Sequence, residues 1–201
     1  MISIIDYDAG NIKSVEKAFD HFGCKVSVTR DAKEILSSDK VILPGVGSFG
    51  DAMNQLKKYD LTDVIKEFTA TGKPFLGICL GLQLLFEESE ESPGIKGLSL
   101  LKGKILRFPE KQGYKIPQIG WNSLDLKNDG RLFKGIETGS FVYFVHSYYL
   151  KADDPDIVTA TSEYTARVDA SVESGNIFAC QFHPEKSSDV GLTIIKNFIS
   201  L

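Results

Sequence analysis

Residues 75–86 read Phe75-Leu76-Gly77-Ile78-Cys79-Leu80-Gly81-Leu82-Gln83-Leu84-Leu85-Phe86, and how this stretch folds decides the architecture. A short apolar run at 75–78 predicts a buried strand, and the apolar-rich segment 80–87 predicts a helix directly after it. Cys79 stands at the bend. Glycines two residues to either side remove the Cβ atoms that would clash where a strand turns sharply into a helix, which is the mechanical signature of a nucleophile elbow with cysteine in place of serine. A thiol at a helix N-terminus is also biased toward thiolate, and the Leu80 amide is placed to donate to an oxyanion. Taken alone, the same five residues read equally well as a buried structural cysteine between two packing glycines.

Working toward the N-terminus, strands are predicted at 2–5, 25–29 and 40–43 and helices at 11–22 and 61–70. The first helix carries Ile12, Val15, Ala18, Phe19 and Phe22 at helical spacing before Gly23. This alternation predicts a largely parallel sheet in an α/β chain. Toward the C-terminus the texture changes to β-rich runs at 98–101, 104–108, 121–126, 141–150, 157–162 and 177–182, expected as a mixed or antiparallel extension of the same sheet. A last helix is predicted at 191–199 with Ser188 or Asp189 as its cap. At 201 residues with 42% apolar and 25% charged residues, the chain is expected to form one domain, residues 1–201.

Composition excludes several classes of function. A net charge of -4 with no basic stripe argues against nucleic acid. Three cysteines, Cys24, Cys79 and Cys180, show no CxxC spacing and argue against a disulfide framework or a zinc site, which suits a reducing cytoplasm. No apolar run is long enough to span a bilayer.

The segment Phe182-His183-Pro184-Glu185 follows the run 177–182. Residues i and i+2 of extended backbone point to one side, so Glu185 can accept the Nδ1 proton of His183 and leave Nε2 facing a thiol. Without the elbow, this tripeptide would be read as a surface histidine beside a solvated glutamate. His146, in an aromatic-rich run, is the rival base and is more simply a core or substrate-wall histidine; His21 is expected to be exposed. The glycine-rich segment 43–50, LPGVGSFG, lacks the Lys-Ser/Thr pair of a Walker loop. Placed after the strand expected beside the nucleophile strand, it is a candidate oxyanion loop. The acidic run Glu87, Glu88, Glu90 and Glu91 reads as a solvated helix face.

Together LPGVGSFG, GICLGLQLLFEESEE, YFVHSYY and FHPEKS resemble the class I (triad) glutamine amidotransferases. Within them, DYDAGNIKSV at 6–15, PGVGSFGDAM at 44–53, PQIGWN at 117–122 and the HPEKSS ending are similar to the glutaminase subunits of imidazole glycerol phosphate synthase. The resemblance implies a flavodoxin-like three-layer fold and a triad of Cys79, His183 and Glu185. It also implies an oxyanion hole from the amides of Val46 and Leu80, and a glutamine site around Gly47, Gln83, Glu91, Ser147 and Tyr148. Gln83 has separate support, lying one helical turn beyond Cys79. The implied chemistry is hydrolysis of L-glutamine through a glutamyl thioester, without metal or cofactor. Ammonia would pass to a barrel-fold cyclase subunit, which makes imidazole glycerol phosphate and AICAR in histidine biosynthesis, across an interface including Asn11, Trp121, Tyr143 and Lys186. One departure is visible: Gln118-Ile119 stand where many family members carry His-Met. The rival readings are an amidotransferase domain serving another synthase, a hydrolase of γ-glutamyl substrates, and a non-catalytic flavodoxin-like binding module.

Overall fold

The computed structural model describes residues 1–8, 11–127 and 130–201; Ala9 and Gly10 of the DYDAGN motif lie outside the described residues. In chain order the elements are β1 (Ile2–Ile5), α1 (Ile12–Asp20), β2 (Val26–Thr29), α2 (Ala32–Ser37), β3 (Lys40–Leu43), α3 (Phe49–Lys58), α4 (Leu61–Ala70), β4 (Phe75–Ile78) and α5 (Leu80–Leu84). They continue with β5 (Glu88–Ser89), β6 (Gly103–Arg107), β7 (Gln118–Ser123), β8 (Asp125–Leu126), β9 (Phe141–His146), β10 (Tyr148–Ala152), β11 (Val158–Glu163), β12 (Arg167–Ser174), β13 (Ile177–Cys180) and α6 (Ser188–Ile199).

The central sheet has eight strands in the order β2-β1-β3-β4-β13-β12-β11-β8. The first five are mutually parallel and the last three run antiparallel. Both faces of β1, β3, β4 and β13 are buried, as the interior of a parallel sheet requires, while the edge strand β2 is half-buried. Successive residues serve opposite layers: Val41, Leu43 and Phe75 pack against α2, α3 and α4, whereas Ile42, Leu76 and Ile78 join Phe19 of α1 and Phe198 of α6. The expected three-layer α/β fold is therefore present. Among the described residues, no helix is long and apolar enough to cross a membrane.

The order places the site. From β1 the chain goes to β2 on one side and then to β3 on the other, so the crevice outside the carboxyl ends of β1 and β3 is the topological switch point where ligands bind in open α/β sheets. Because β3, β4 and β13 are neighbours, the segments leaving their carboxyl ends lie side by side: PGVG after β3, Cys79 after β4 and His183 after β13.

Several expectations are corrected. The predicted helix 80–87 stops at Leu84, because the amides of Leu98, Leu100, Ser99 and Gly97 take the carbonyls of Leu84, Leu85, Phe86 and Glu87. The same bonds make 98–101 a connecting segment and not a strand. The acidic run is no solvated helix face: Glu87, Glu90 and Glu91 accept from the amides of Gly103, Arg107 and Phe49, and Glu88 pairs with Lys96 and Lys104. The extension is only partly on the central sheet, since β10-β6-β5 and β7-β9 form two separate sheets. The cap of α6 is Ser187, whose hydroxyl is committed elsewhere; Ser188 and Asp189 lie inside the first turn.

Candidate active site

Cys79 sits between β4 and α5 with φ +54° and ψ -107°, a backbone setting that costs a non-glycine residue about 1–3 kcal/mol and is held only by what surrounds it. What surrounds it is close packing. A Cβ at Gly81 would lie 1.9 Å from the Leu43 carbonyl oxygen, and one at Gly77 2.8 Å from the Gly81 carbonyl oxygen. The Cys79 amide donates to Cys180 at 2.8 Å, and its own carbonyl receives the Leu82 and Gln83 amides. The amides of Leu80 and Gly81 precede these first intrahelical bonds, and Leu80 lines the crevice.

His183 and Glu185 come from the turn after β13. His183 Nδ1 lies 2.8 Å from Glu185 Oε1, with both side chains only 2% exposed. Burial pulls the ring's pKa down, but Cys79 and Glu185 more than reverse this and push it up to about 10. Nε2 is buried and makes no hydrogen bond to the described residues.

A cleft of about 290 Å³ opens over these groups, and Cys79, Leu80 and His183 line it. Every residue expected around a substrate is there too: Gly47, Gln83, Glu91, Ser147 and Tyr148, with Val46 at the rim. Glu91 spends Oε2 on the Phe49 amide at 2.7 Å, which pins the start of α3 behind the PGVG loop. Gln83 uses Nε2 on the Tyr148 carbonyl and on Gln181 Oε1, each at 3.0 Å; its own Oε1 remains an acceptor for a ligand.

His146 is buried in the cleft wall. Its Nδ1 lies 2.8 Å from the Tyr148 carbonyl and must donate there, while Nε2 lies 3.1 Å from the Gln118 carboxamide. Burial lowers its pKa to about 4, against the Tyr148 bond that raises it. Gln118 Oε1 is the atom placed against Nε2; a neutral ring that donates at Nδ1 accepts at Nε2, which requires the carboxamide to present its NH2 there instead. Gln118 thus serves the interior, and Ile119 beside it is 64% exposed.

Of the four residues expected at a partner surface, Trp121, Tyr143 and Lys186 are neighbours. Asn11 and Trp121 are exposed, Tyr143 packs edge-on against Trp121, and the Lys186 ammonium sits 5.9 Å from the Tyr143 ring. His21 is exposed as expected.

Three residues escaped the sequence reading. Tyr7, fully buried, donates from its hydroxyl to the Pro44 carbonyl at 2.8 Å and so anchors the PGVG loop; its own ionisation is suppressed, first by burial and then by Cys79. Ser187 bonds both the Tyr143 amide and the His183 carbonyl. Gln181 contacts Cys79 Sγ. A signal for Gln181 was present: a glutamine inside the otherwise apolar run 177–182 must find partners for its carboxamide.

Comparison with known proteins agrees with this geometry. The chain matches the family model for glutamine amidotransferase class-I over residues 3–201. The imidazole glycerol phosphate synthase subunit HisH of Bacillus mycoides is 54% identical over 199 residues, covering 98% of this chain and 93% of that protein. The HisH subunit of Caldanaerobacter subterraneus subsp. tengcongensis is 50% identical over 198 residues, covering 98% and 97%. Among solved structures, PurLQS from Thermotoga maritima is similar with a TM-score of 0.76 at 22% identity over 99% of this chain and 97% of that one, a likeness of fold alone. With identity of this order running the length of the chain, and an elbow cysteine facing a His-Glu pair in one cleft, the chain belongs to the class-I glutamine amidotransferases, in the family of the imidazole glycerol phosphate synthase subunit HisH.

Proposed function

We infer that this chain is the glutaminase subunit of imidazole glycerol phosphate synthase, hydrolysing L-glutamine to glutamate and ammonia for histidine biosynthesis. The observation that carries the reading is the His183–Glu185 pair at 2.8 Å, with His183 and Cys79 lining one cleft. Cys79 Sγ attacks the side-chain carboxamide carbon, and the oxyanion is received by the amides of Val46 and Leu80. His183 Nε2 delivers its proton to the departing nitrogen, so ammonia leaves and a glutamyl thioester remains. Water then attacks the thioester, His183 takes its proton, and the C–S bond breaks to release glutamate. Glu185 holds the imidazole in the required tautomer throughout. Gly47, Gln83, Glu91, Ser147 and Tyr148 position the glutamine, the free Gln83 Oε1 being suited to its ammonium group.

The partner is a barrel-fold cyclase subunit in a heterodimer, seated on a surface that includes Asn11, Trp121, Tyr143 and Lys186. Three free cysteines suit a cytoplasmic setting. The test is stoichiometric labelling of Cys79 by a glutamine-derived chloroketone, with ammonia release measured with and without the cyclase and its ligand. Turnover that survives Cys79→Ala would overturn the reading.

A further inference from the structure

Gln181 is fully buried, follows β13 directly and has no part in the steps above. Its main-chain amide donates to Ala170 at 2.8 Å, which leaves the carboxamide free of any role in the sheet. Oε1 accepts from Gln83 Nε2 at 3.0 Å, and Nε2 lies 3.7 Å from Cys79 Sγ.

The direction of these bonds follows from one atom. The Tyr148 main-chain carbonyl can only accept, and it receives His146 Nδ1–H and Gln83 Nε2–H. That fixes the Gln83 amide, whose second N–H then requires an acceptor in Gln181. Oε1 of Gln181 must be the atom facing Gln83, so its NH2 group is turned toward the sulfur. A buried N–H with no acceptor is costly, and an anionic sulfur is a stronger acceptor for it than a neutral thiol. On the far side, Sγ lies 4.0 Å from the Val145 carbonyl, which can only accept from it. Gln181 is therefore the donor that favours the ionised form.

We propose that Gln181 holds the Cys79 thiolate through its side-chain N–H, and that the Tyr148 carbonyl keeps this donor aimed by way of Gln83. The proposal rests on Cys79 being the nucleophile. It makes Gln83 a shared element, bonded to the thiolate's donor and open to bound glutamine through Oε1, so that filling the substrate site and aiming the sulfur involve one side chain.

The test is the pH dependence of iodoacetamide labelling, followed by mass on the peptide that contains residue 79, so that Cys24 and Cys180 do not contribute. In Gln181→Glu the acceptor toward Gln83 and the shape are kept, but the donor is replaced by a like charge. Its labelling midpoint is expected to rise by about one pH unit or more. Gln181→Met, which removes the donor together with the acceptor toward Gln83 and adds no charge, should move the midpoint in the same direction by less, and kcat should fall more than KM changes in both. If Gln181→Met does not fold, Gln181→Glu carries the test with Gln83→Met, which loosens the aim without altering the donor and should give a smaller upward shift. An unchanged midpoint in Gln181→Glu would overturn the role of Gln181, even if activity fell through packing. Glutamine turnover by protein already alkylated at Cys79 would overturn the nucleophile itself and this proposal with it.

Discussion

The main-chain amide of His183 donates to the carbonyl of Tyr143 at 2.9 Å, which ties the proposed base to β9, whose Tyr143 ring packs edge-on against the exposed Trp121. The tie is doubled by Ser187, whose hydroxyl accepts from the Tyr143 amide at 2.9 Å and donates to the His183 carbonyl at 2.7 Å. Ser187→Ala strands a buried amide, so a loss of about 1–3 kcal/mol is expected in urea unfolding. Glutaminase activity should fall with it, and the response to the partner should fall further than the basal rate. An unfolding midpoint equal to the parent's would show that this hydroxyl is not holding the two elements together.

Gly81→Ala is expected to be among the most damaging single-methyl changes in the chain. The added carbon would sit 1.9 Å from the Leu43 carbonyl oxygen, a main-chain atom of a central strand that cannot turn aside. Overpacking of this kind costs about 1–3 kcal/mol or more, and relief requires α5 to move away from β3, carrying Cys79 with it. The variant should unfold at lower urea and lose most of its glutamine turnover. Parent-like values of both would mean that the elbow tolerates a wider approach than the packing implies.

Legibility in the sequence followed the length over which a cause acts. Strands at 2–5, 40–43 and 75–78 and the helix at 61–70 fall where they were expected, because each is a continuous apolar or amphipathic run, and Pro44, Gly72 and Pro74 mark stops beside three of them. Cys79 and His183 line one cleft and Glu185 bonds His183 because the elbow and the His-Pro-Glu turn are local geometries set at the ends of neighbouring strands. What was not legible depended on distant partners. β12 was missed because Arg167, Asp169, Glu173 and Ser174 mask its buried Val168, Ala170 and Val172, and the end of α5 is set by amides a dozen residues onward. The helices α2 and α3 were missed although Asp31 and Ser48 each cap a first-turn amide, those of Glu34 and Asp51; that signal was available. The network through Gln118, His146, Gln83 and Gln181 joins four segments and had no sequence period to betray it.

The two buried histidines divide cleanly by what their rings face. His183 has Nδ1 on Glu185 and Nε2 without a partner in the cleft that it shares with Cys79, whereas His146 has both nitrogens committed, to Tyr148 and Gln118. His183→Gln should reduce thioester formation by about 10²–10⁴-fold, read as loss of chloroketone labelling rate and of ammonia release. His146→Gln should retain thioester formation, with a rise in KM as the cleft wall shifts. The reverse ranking would transfer the role of base to His146.

Trp121 projects from β7 at 53% exposure between Ile119 on its own strand and Tyr143 on β9. An exposed tryptophan braced by a second aromatic has the character of an interface anchor, and truncation of such anchors costs about 2–4 kcal/mol of binding. Trp121→Ala is expected to weaken binding of the cyclase subunit in titration calorimetry by about 30-fold or more, with the unfolding midpoint of the free chain little changed. Unaltered binding would place the docking surface elsewhere.

Stability should peak near neutral pH, with limbs that the two histidines shape in opposite senses. In the folded chain His183 is raised to about 10, burial opposing and the Cys79 and Glu185 contacts prevailing, while an unfolded histidine titrates near about 6.5. The folded state therefore binds this proton more tightly. Its stabilisation is complete below about pH 6.5, declines as the pH rises, and is gone above about 10, with a slope of at most about 1.4 kcal/mol per pH unit. His146 is lowered to about 4 by burial, so the unfolded state binds its proton more tightly. Its contribution is present above about pH 6.5 and is lost as the pH falls toward about 4. Urea unfolding across pH 4 to 10 should accordingly show a shallower alkaline limb in His183→Gln and in Cys79→Ala, and a shallower acid limb in His146→Gln, each relative to the parent. Because both comparisons are differences, surface carboxylates shared by parent and variant cancel. An alkaline limb unchanged in His183→Gln would mean that the imidazole does not hold its proton against the sulfur, and with it would go the electrostatic coupling on which the triad depends.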